Sequence, residues 1–234
     1  MTFNVIKLKE TESTNTYAKA LLRKGEPLMP YTLIYTSRQT AGRGRLGRSW
    51  ESEEGSTLCM SLVAPYPYAP AVTLLSALGV HRALCALGVK NTKIKWPNDL
   101  IFGNKKLCGI LTESTDKYAV IGIGINLNTE DFPLEIAHKA TSLKMITGKV
   151  FDPFEAAKLI TQKLVEILEE TKGSLTPAIH REYTALCENI GREVSFRGKS
   201  GVAVAIDKDG SLLVQTAEGT EKISSGEVFV CGIY

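Results

Sequence analysis

The chain has 234 residues, of which 44% are hydrophobic and 23% charged, with 28 basic and 25 acidic side chains. This composition is typical of a globular protein with a sizeable core, and it excludes a disordered tail or a fibre. The formal net charge of +3 is too small to indicate a general nucleic-acid or membrane-surface binder.

The first 190 residues alternate between strand-like and helix-like patterns. Alternation and β-branched residues predict strands, whereas apolar residues at helical spacing predict helices. In chain order these are a strand at 3–8, a helix between capping hydroxyls at 13–16 and Gly25, strands at 31–36 and 57–63, a helix at 71–87, strands at 92–96, 105–113 and 118–127, a helix from the N-cap Asp152 to about Lys172, and a helix at 177–189.

After Gly191 the pattern becomes strand-like and stays so. Five short strands are predicted, with hairpin turns at Asp209-Gly210 and Glu218-Gly219: 193–196, 202–206, 212–216, 221–223 and 228–231. Closing them as a small barrel would hide the sheet edges. We therefore predict an α+β protein, with a larger mixed domain at residues 1–190 and a small β domain at residues 191–234.

The segments that would direct a chain to a membrane or out of the cell are not recognisable. The most apolar stretch, 71–89, contains His81 and Arg82 near its middle, and residues 1–7 have no apolar signal core. The five cysteines are odd in number and form no Cys-x-x-Cys pair, which favours buried thiols over disulfides or a metal site. We expect a cytoplasmic protein without a membrane partner.

Residues 37–50 combine arginine with glycine in the order Ser-Arg-Gln-Thr-Ala-Gly-Arg-Gly-Arg-Leu-Gly-Arg-Ser-Trp. Glycines let the backbone approach a ligand, and guanidinium groups suit phosphate and carboxylate oxygens. A solvated basic turn is the alternative, but the clustering favours an anionic ligand. The formal Gly-x-Gly-x-x-Gly match is weak because residues 48–56 do not predict the helix that a dinucleotide-binding fold requires.

Other short motifs leave alternatives open. Gly198-Lys199-Ser200 resembles the end of a P-loop, but Glu193 stands where its first glycine is required. An RNA-binding arginine–glycine segment is a further alternative, although this run is short and lies between strands. Asn98-Asp99 could bind adenine, ribose or Mg²⁺, or simply form an Asx turn. Alternating glycines in 121–126 would leave room for a bulky ligand or for close helix packing.

Five motifs, in this order, resemble those of biotin protein ligases: Glu12-Ser-Thr-Asn15, Gln39-Thr-Ala-Gly-Arg-Gly-Arg-Leu-Gly-Arg-Ser-Trp50, Lys95-Trp-Pro-Asn-Asp-Leu100, Lys106-Leu-Cys-Gly-Ile-Leu111 and Gly122-Ile-Gly-Ile-Asn126. The resemblance covers essentially the whole chain, including Ser225-Gly-Glu-Val228 near its end. It implies a catalytic domain like that of class II aminoacyl-tRNA synthetases, followed by an SH3-like β-barrel.

The resemblance also implies an activity. Biotin and MgATP would give biotinyl-5′-AMP and pyrophosphate, and the biotinyl group would then pass to a lysine of a biotin carboxyl carrier protein. Arg43, Arg45 and Lys106 are the implied catalytic residues, because catalysis here is chiefly positioning and charge neutralisation. Biotin and ATP would be substrates accompanied by Mg²⁺, whose ligands stay open, and no tightly bound cofactor is expected.

The resemblance assigns the remaining site residues to two ligands, and it places Trp50 over the adenine when the arginine–glycine loop closes. The implied biotin-binding residues are Ser13, Thr14, Asn15, Gln39, Gly42, Arg43, Gly44, Arg45, Lys106 and Gly109. The implied nucleotide-binding residues are Arg43, Arg45, Trp50, Asn98, Asp99, Lys106 and Asn126.

Two questions about partners follow from the resemblance. Some relatives repress transcription through an N-terminal winged helix; only twelve residues precede Ser13 here, so we expect a ligase without operator binding and without DNA as a partner. Relatives are often dimers, and a homodimer is left open. The alternative functions are a lipoate-type ligase and a non-catalytic biotin-binding regulator.

Overall fold

A seven-stranded mixed sheet occupies the first half of the chain. The computed structural model describes residues 3–25, 28–67 and 69–234 of the whole chain. Its strands are β1 (Asn4–Leu8), β2 (Thr32–Thr36), β3 (Thr57–Ala64), β4 (Lys93–Lys95), β5 (Asp99–Phe102), β6 (Lys105–Ser114) and β7 (Ala119–Asn126). They lie in the order β1-β2-β3-β7-β6-β5-β4, with β1 parallel to β2 and the other neighbours antiparallel.

Six α-helices lie in the described part of the chain, and several of them begin with a side-chain cap. They are α1 (Thr14–Arg23), α2 (Ala69–Ala86), α3 (Leu134–Ala137), α4 (Leu143–Thr147), α5 (Pro153–Thr171) and α6 (Pro177–Leu186). The Asp152 carboxylate accepts a hydrogen bond from the Glu155 amide at 2.8 Å, and Pro153 follows it in the first turn. This arrangement satisfies one of the orphan donors at the helix start, as the sequence predicted.

The two faces of the sheet pack against two different hydrophobic cores. Leu33 and Tyr35 of β2 belong to the main core with α2 and α5, whereas Ile34 between them packs on the other face with Ala18 of α1. Period-two alternation in β2 thus separates a large apolar layer from a smaller one. The second face is only partly covered by α1, and it is the face that carries the candidate site.

The C-terminal residues form a second, antiparallel sheet. Its strands are β8 (Glu193–Phe196), β9 (Lys199–Ile206), β10 (Leu212–Thr216), β11 (Gly219–Ile223) and β12 (Phe229–Val230), in the order β11-β10-β9-β8-β12. Gly210 and Gly219 have φ of 88° and 128° at the two predicted turns, where glycine avoids the strain of a side chain. The mixed α+β content and the antiparallel C-terminal sheet are confirmed; closure as an SH3-like barrel and the boundary at residue 190 stay predictions.

Several sequence-based boundaries and elements were wrong. The strand β5 and the short helices α3 and α4 were not predicted, since each is too short to show a period. The helix predicted at 177–189 ends at Leu186, because Cys187 leaves the helical conformation and bridges to Ile94 of β4. The strand predicted at 202–206 begins at Lys199.

The cysteines only partly follow the expectation of core packing. Cys59, Cys108 and Cys187 are buried, whereas Cys85 is half-buried and Cys231 is exposed, and all five thiols are free. Across residues 3–25, 28–67 and 69–234, no helix has both the length and the apolar character needed to cross a membrane.

Candidate active site

A row without large side chains crosses the face of the sheet opposite α2 and α5. In the strand register Cys59 pairs with Gly124, Gly124 with Gly109, and Gly109 with Asp99. Because facing residues of neighbouring strands lie on the same side of a sheet, these positions form one trough across β3, β7, β6 and β5. The two glycines make its floor, and the Asp99 carboxylate stands at one end.

The neighbouring groups lie so close to the glycines of β7 that a side chain would not fit there. A Cβ added to Gly122 would lie 2.5 Å from Asn15 Oδ1, and one added to Gly124 would lie 2.3 Å from Trp50 Cε2. Gly122 therefore admits the start of α1, and Gly124 admits the indole that ends the arginine–glycine loop. Close packing against a helix, one of the two explanations open at the sequence level, accounts for Gly122. The space at Gly124 is taken by the Trp50 indole and would serve a ligand only if that indole moved.

A cluster of neutral hydrogen-bonding side chains forms the end of the trough next to α1. Ser61 Oγ lies 2.7 Å from Thr14 Oγ1 and 2.6 Å from Asn15 Oδ1, all three side chains being buried. Gln39 Oε1 accepts hydrogen bonds from the Thr14 amide at 2.8 Å and its hydroxyl at 3.1 Å. Residues far apart in sequence thus share one network, which can donate to and accept from a polar neutral group.

Behind this network an ion pair holds the Asn15 amide in place. Asn15 Nδ2 donates to the Leu111 carbonyl at 3.1 Å and to Glu113 Oε2 at 2.9 Å, while Lys19 Nζ contacts the other Glu113 oxygen at 2.5 Å. Since both amide donors have acceptors, the Asn15 carbonyl oxygen is fixed toward Ser61 and the trough.

The arginine–glycine loop folds back on itself instead of opening a helix. The Gly44 amide donates to the Arg48 carbonyl at 2.7 Å, and the Trp50 amide donates to the Gly42 carbonyl at 2.9 Å. A Cβ on Gly42 would lie 2.2 Å from the Trp50 carbonyl oxygen, so only glycine allows this close backbone approach. The loop therefore lacks the glycine turn and following helix of a dinucleotide-binding fold, which the sequence analysis had also disfavoured.

The four arginines of the loop have different surroundings. Arg45 donates from Nη1 to Asn98 Oδ1 at 2.7 Å and from Nη2 to the Gly226 carbonyl at 2.8 Å. Burial lowers the pKa of Arg45, although a guanidinium stays charged. Arg43 is exposed and lines the cavity. Arg38 and Arg48 pair with carboxylates, Arg38 with Glu10 at 3.1 Å and Arg48 with Glu227.

A β-bulge turns Lys106 into the trough. Leu100 pairs with Cys108 and Ile101 with Lys106, so Leu107 is an extra residue on β6, and Leu107 and Cys108 both face the main core. Without the bulge, alternation would put Lys106 on the core side with Cys108. A Cβ on Gly109 would lie 3.2 Å from Lys106 Cε, so this glycine also leaves room for the lysine side chain.

Asp99 accepts hydrogen bonds from the residue just before β5 and from β6. Lys106 Nζ donates to Asp99 Oδ2 at 2.9 Å, and Asn98 Nδ2 donates to Asp99 Oδ1 at 3.1 Å. Lys95, which precedes the cis Trp96–Pro97 peptide, also lines the cavity. Burial lowers the pKa of Lys95 from 10.5 to about 8, because the charged amine loses hydration.

Most of the predicted site residues lie in this one cavity. Its lining includes Ser13, Thr14, Asn15, Gln39, Arg43, Gly44, Arg45, Trp50, Asn98, Asp99, Lys106 and Gly109. Gly42 lies behind it as a backbone support for the loop. Asn126 is buried outside the lining, where its Nδ2 donates to the Thr141 carbonyl at 3.1 Å. In the part of the chain described, no three His, Cys, Asp or Glu side chains group as a metal site.

Sequence reasoning did not assign a role to several residues of the cavity. Lys95 belongs to the motif at Lys95–Leu100, but nothing in the sequence indicates that its side chain is buried. Glu227 and Tyr234 come from the C-terminal domain and also line the cavity. Their approach depends on how two sheets pack, which no local pattern encodes.

The chain belongs to the Biotin/lipoate A/B protein ligase family, whose sequence model matches residues 8–128; the model of the Biotin protein ligase C terminal domain matches residues 190–230. It is 36% identical to the bifunctional ligase/repressor BirA of Bacillus spizizenii over 84% of this chain, and it spans only 65% of that relative's length. The biotin–[acetyl-CoA-carboxylase] ligase of Mycobacterium tuberculosis is 28% identical over 94% of this chain and 86% of its own.

A solved structure shows the same architecture. The biotin protein ligase from Aquifex aeolicus in complex with biotin and ATP superposes with a TM-score of 0.85 at 33% identity, over 97% of this chain and 98% of that one. The agreement covers the mixed sheet and the C-terminal sheet together.

Lys95 should titrate close to neutrality in the free protein. Because burial lowers the pKa of Lys95 to about 8, the amine should be charged below that pH and neutral above it. NMR of isotopically methylated lysines should show one resonance with a midpoint near pH 8, and this resonance should vanish in Lys95→Gln. A Lys95 resonance that stays charged to pH 9.5 would contradict the burial argument.

Proposed function

We propose that this chain is a biotin protein ligase that activates biotin with MgATP and then biotinylates a lysine of a biotin carboxyl carrier protein. One observation carries the proposal: Arg45 and Lys106 reach a glycine-floored trough that ends in the neutral network of Ser61, Thr14 and Asn15. A ligand with a polar neutral ring at one end and a carboxylate at the other matches both ends of this trough.

The neutral network favours biotin over lipoate. The ureido ring of biotin offers N–H donors and a carbonyl acceptor, which match the Asn15 and Gln39 oxygens and the hydroxyl groups beside them. A dithiolane ring offers neither, so it would gain no hydrogen bond from this network, whose members already bond to one another. The lipoate alternative is therefore disfavoured by the chemistry of Thr14, Ser61 and Asn15.

The cations then serve the first half-reaction. A carboxylate oxygen of biotin attacks the α-phosphorus of ATP, a new O–P bond forms, and the bond to the pyrophosphate leaving group breaks. Both reactants are anionic, so their approach needs positive charge fixed in advance. Arg43, Arg45 and Lys106 supply it, with Lys106 between the activated carboxyl and the phosphate.

The second half-reaction transfers the acyl group. The amine of the carrier lysine attacks the acyl carbon of biotinyl-5′-AMP, AMP leaves, and the amine loses a proton. The mixed anhydride is sensitive to water, which gives closure of the arginine–glycine loop a purpose. Trp50 would then cover the adenine, moving from its position on Gly124.

Asn98, Asp99 and Asn126 are proposed to frame the nucleotide. Magnesium would enter with ATP as part of the substrate, holding mostly phosphate oxygens and waters, and its protein ligands stay open. Asn126 would act from behind β7, since its amide faces Thr141. Cytoplasmic location and the lack of operator binding remain predictions, and the oligomeric state stays open. A gel-shift assay with operator DNA tests the lack of operator binding.

The proposal is tested by incubating the chain with biotin, MgATP and a biotin carboxyl carrier domain and weighing the carrier. One biotinyl group should be gained, with AMP and pyrophosphate as products. Lys106→Ala should slow biotin-dependent ATP–pyrophosphate exchange roughly 10²-fold, the scale of losing a preorganised charge. Lys158→Ala, on the exposed surface of α5, is the matched control.

Two outcomes of this assay would reject the proposed function, and a third would reject the role given to Lys106. Exchange with lipoate but not biotin would indicate a lipoate ligase. Biotin binding without exchange would indicate a regulator. Wild-type exchange in Lys106→Ala would remove Lys106 from the chemistry.

Trp50 should report on biotin binding. Its indole lies on Gly124 and its Nε1 is buried without a hydrogen-bond partner among the described residues, whereas Trp96 donates to the Gly210 carbonyl at 2.9 Å. Because a ligand on the glycine floor must contact or displace this indole, biotin should change the fluorescence of the wild type and of Trp96→Phe. The same change in Trp50→Phe would contradict this placement.

A further inference from the structure

The C-terminal domain contributes three polar groups to the cleft. The Gly226 carbonyl accepts a hydrogen bond from Arg45, and Glu227 pairs with Arg48. The third group is the phenol of Tyr234, whose Oη donates to Asp99 Oδ2 at 2.5 Å. The first two hold the arginine–glycine loop, whereas Tyr234 contacts a carboxylate that also binds Lys106.

Asp99 Oδ2 therefore accepts hydrogen bonds from two donors, one on each of its lone pairs. Lys106 Nζ lies 2.9 Å from it and Tyr234 Oη 2.5 Å, while the Asp99 side chain is only 14% exposed. If Lys106 moves away toward an anionic substrate, a mostly buried carboxylate oxygen loses a charged partner. Such a loss is costly unless another donor remains.

Tyr234 is positioned to remain as that donor when Lys106 moves. Its ring is partly buried against the main core, and Lys95 Nζ lies 3.7 Å from the ring centroid in a cation–π contact that helps to hold the ring. Burial and the neighbouring Asp99 carboxylate raise the pKa of Tyr234, so the phenol keeps its proton.

We propose that Tyr234 is a positioning residue of the ligase reaction: its phenol keeps the Asp99 carboxylate in place while Lys106 turns toward the anionic substrate. The inference rests on the function proposed above and adds a residue from the C-terminal domain to it. Without the phenol, Lys106 would be the remaining donor to Asp99 Oδ2, and this ion pair would oppose the movement of Lys106 toward the substrate.

The test compares Tyr234→Phe, which keeps the ring under Lys95 and removes only the hydroxyl, with wild type in biotin-dependent ATP–pyrophosphate exchange. We expect kcat to fall about tenfold or more, the scale of one hydrogen bond to a charged group, with KM for biotin within about twofold. Tyr118→Phe, at the turn before β7, is the matched control. Both variants should melt at the wild-type temperature.

A double-mutant cycle separates positioning from a structural effect. In an Asp99→Asn background, Tyr234→Phe should change kcat less than about twofold, because the carboxylate through which it acts is gone. An undiminished effect in that background, or a wild-type kcat in Tyr234→Phe alone, would overturn the inference. Absence of exchange in the wild type would instead reject the proposed function, so the two failures are distinguishable.

Discussion

The site depends on one constraint, the absence of side chains at Gly109 and Gly124 where β6 and β7 run side by side. Their register with Cys59 and Asp99 makes a trough across four strands. A Cβ on either glycine would meet Trp50 or Lys106 within 3.3 Å, so the floor, the loop and the lysine are fitted together. The main core packs against the opposite face of the same strands.

Charge in the cleft comes from three separate parts of the chain. Five cations and two carboxylates line the cavity, although the whole chain has a net charge of only +3. Asp99 and Glu227 neutralise part of this charge while the site is free, holding Lys106 and Arg48. An anionic substrate therefore competes with carboxylates already present, and the C-terminal domain takes part in that competition through Glu227 and Tyr234.

Period and capping predicted the larger elements, and the resemblance to biotin protein ligases predicted much of the cavity lining. The long strands of the sheet and the helix that begins at Asp152 each show several repeats of their own pattern. The extra residue at Leu107, which decides that Lys106 faces the trough, has no such signal because it exists only in the pairing of β5 with β6. The contacts of Gly226 and Tyr234 depend on how the two sheets pack together, so no local sequence pattern could predict them.

The most direct test of this account is the affinity of Gly124→Ala for biotin, measured by calorimetry. Its Cβ would lie 2.3 Å from Trp50 Cε2, so the indole must shift and the floor must rise. Overpacking of this kind costs about 1–3 kcal/mol, which corresponds to a loss of roughly 5- to 140-fold in affinity. That loss, with an unchanged fold by circular dichroism, is the predicted result. Biotin binding at wild-type affinity would contradict a glycine-floored site.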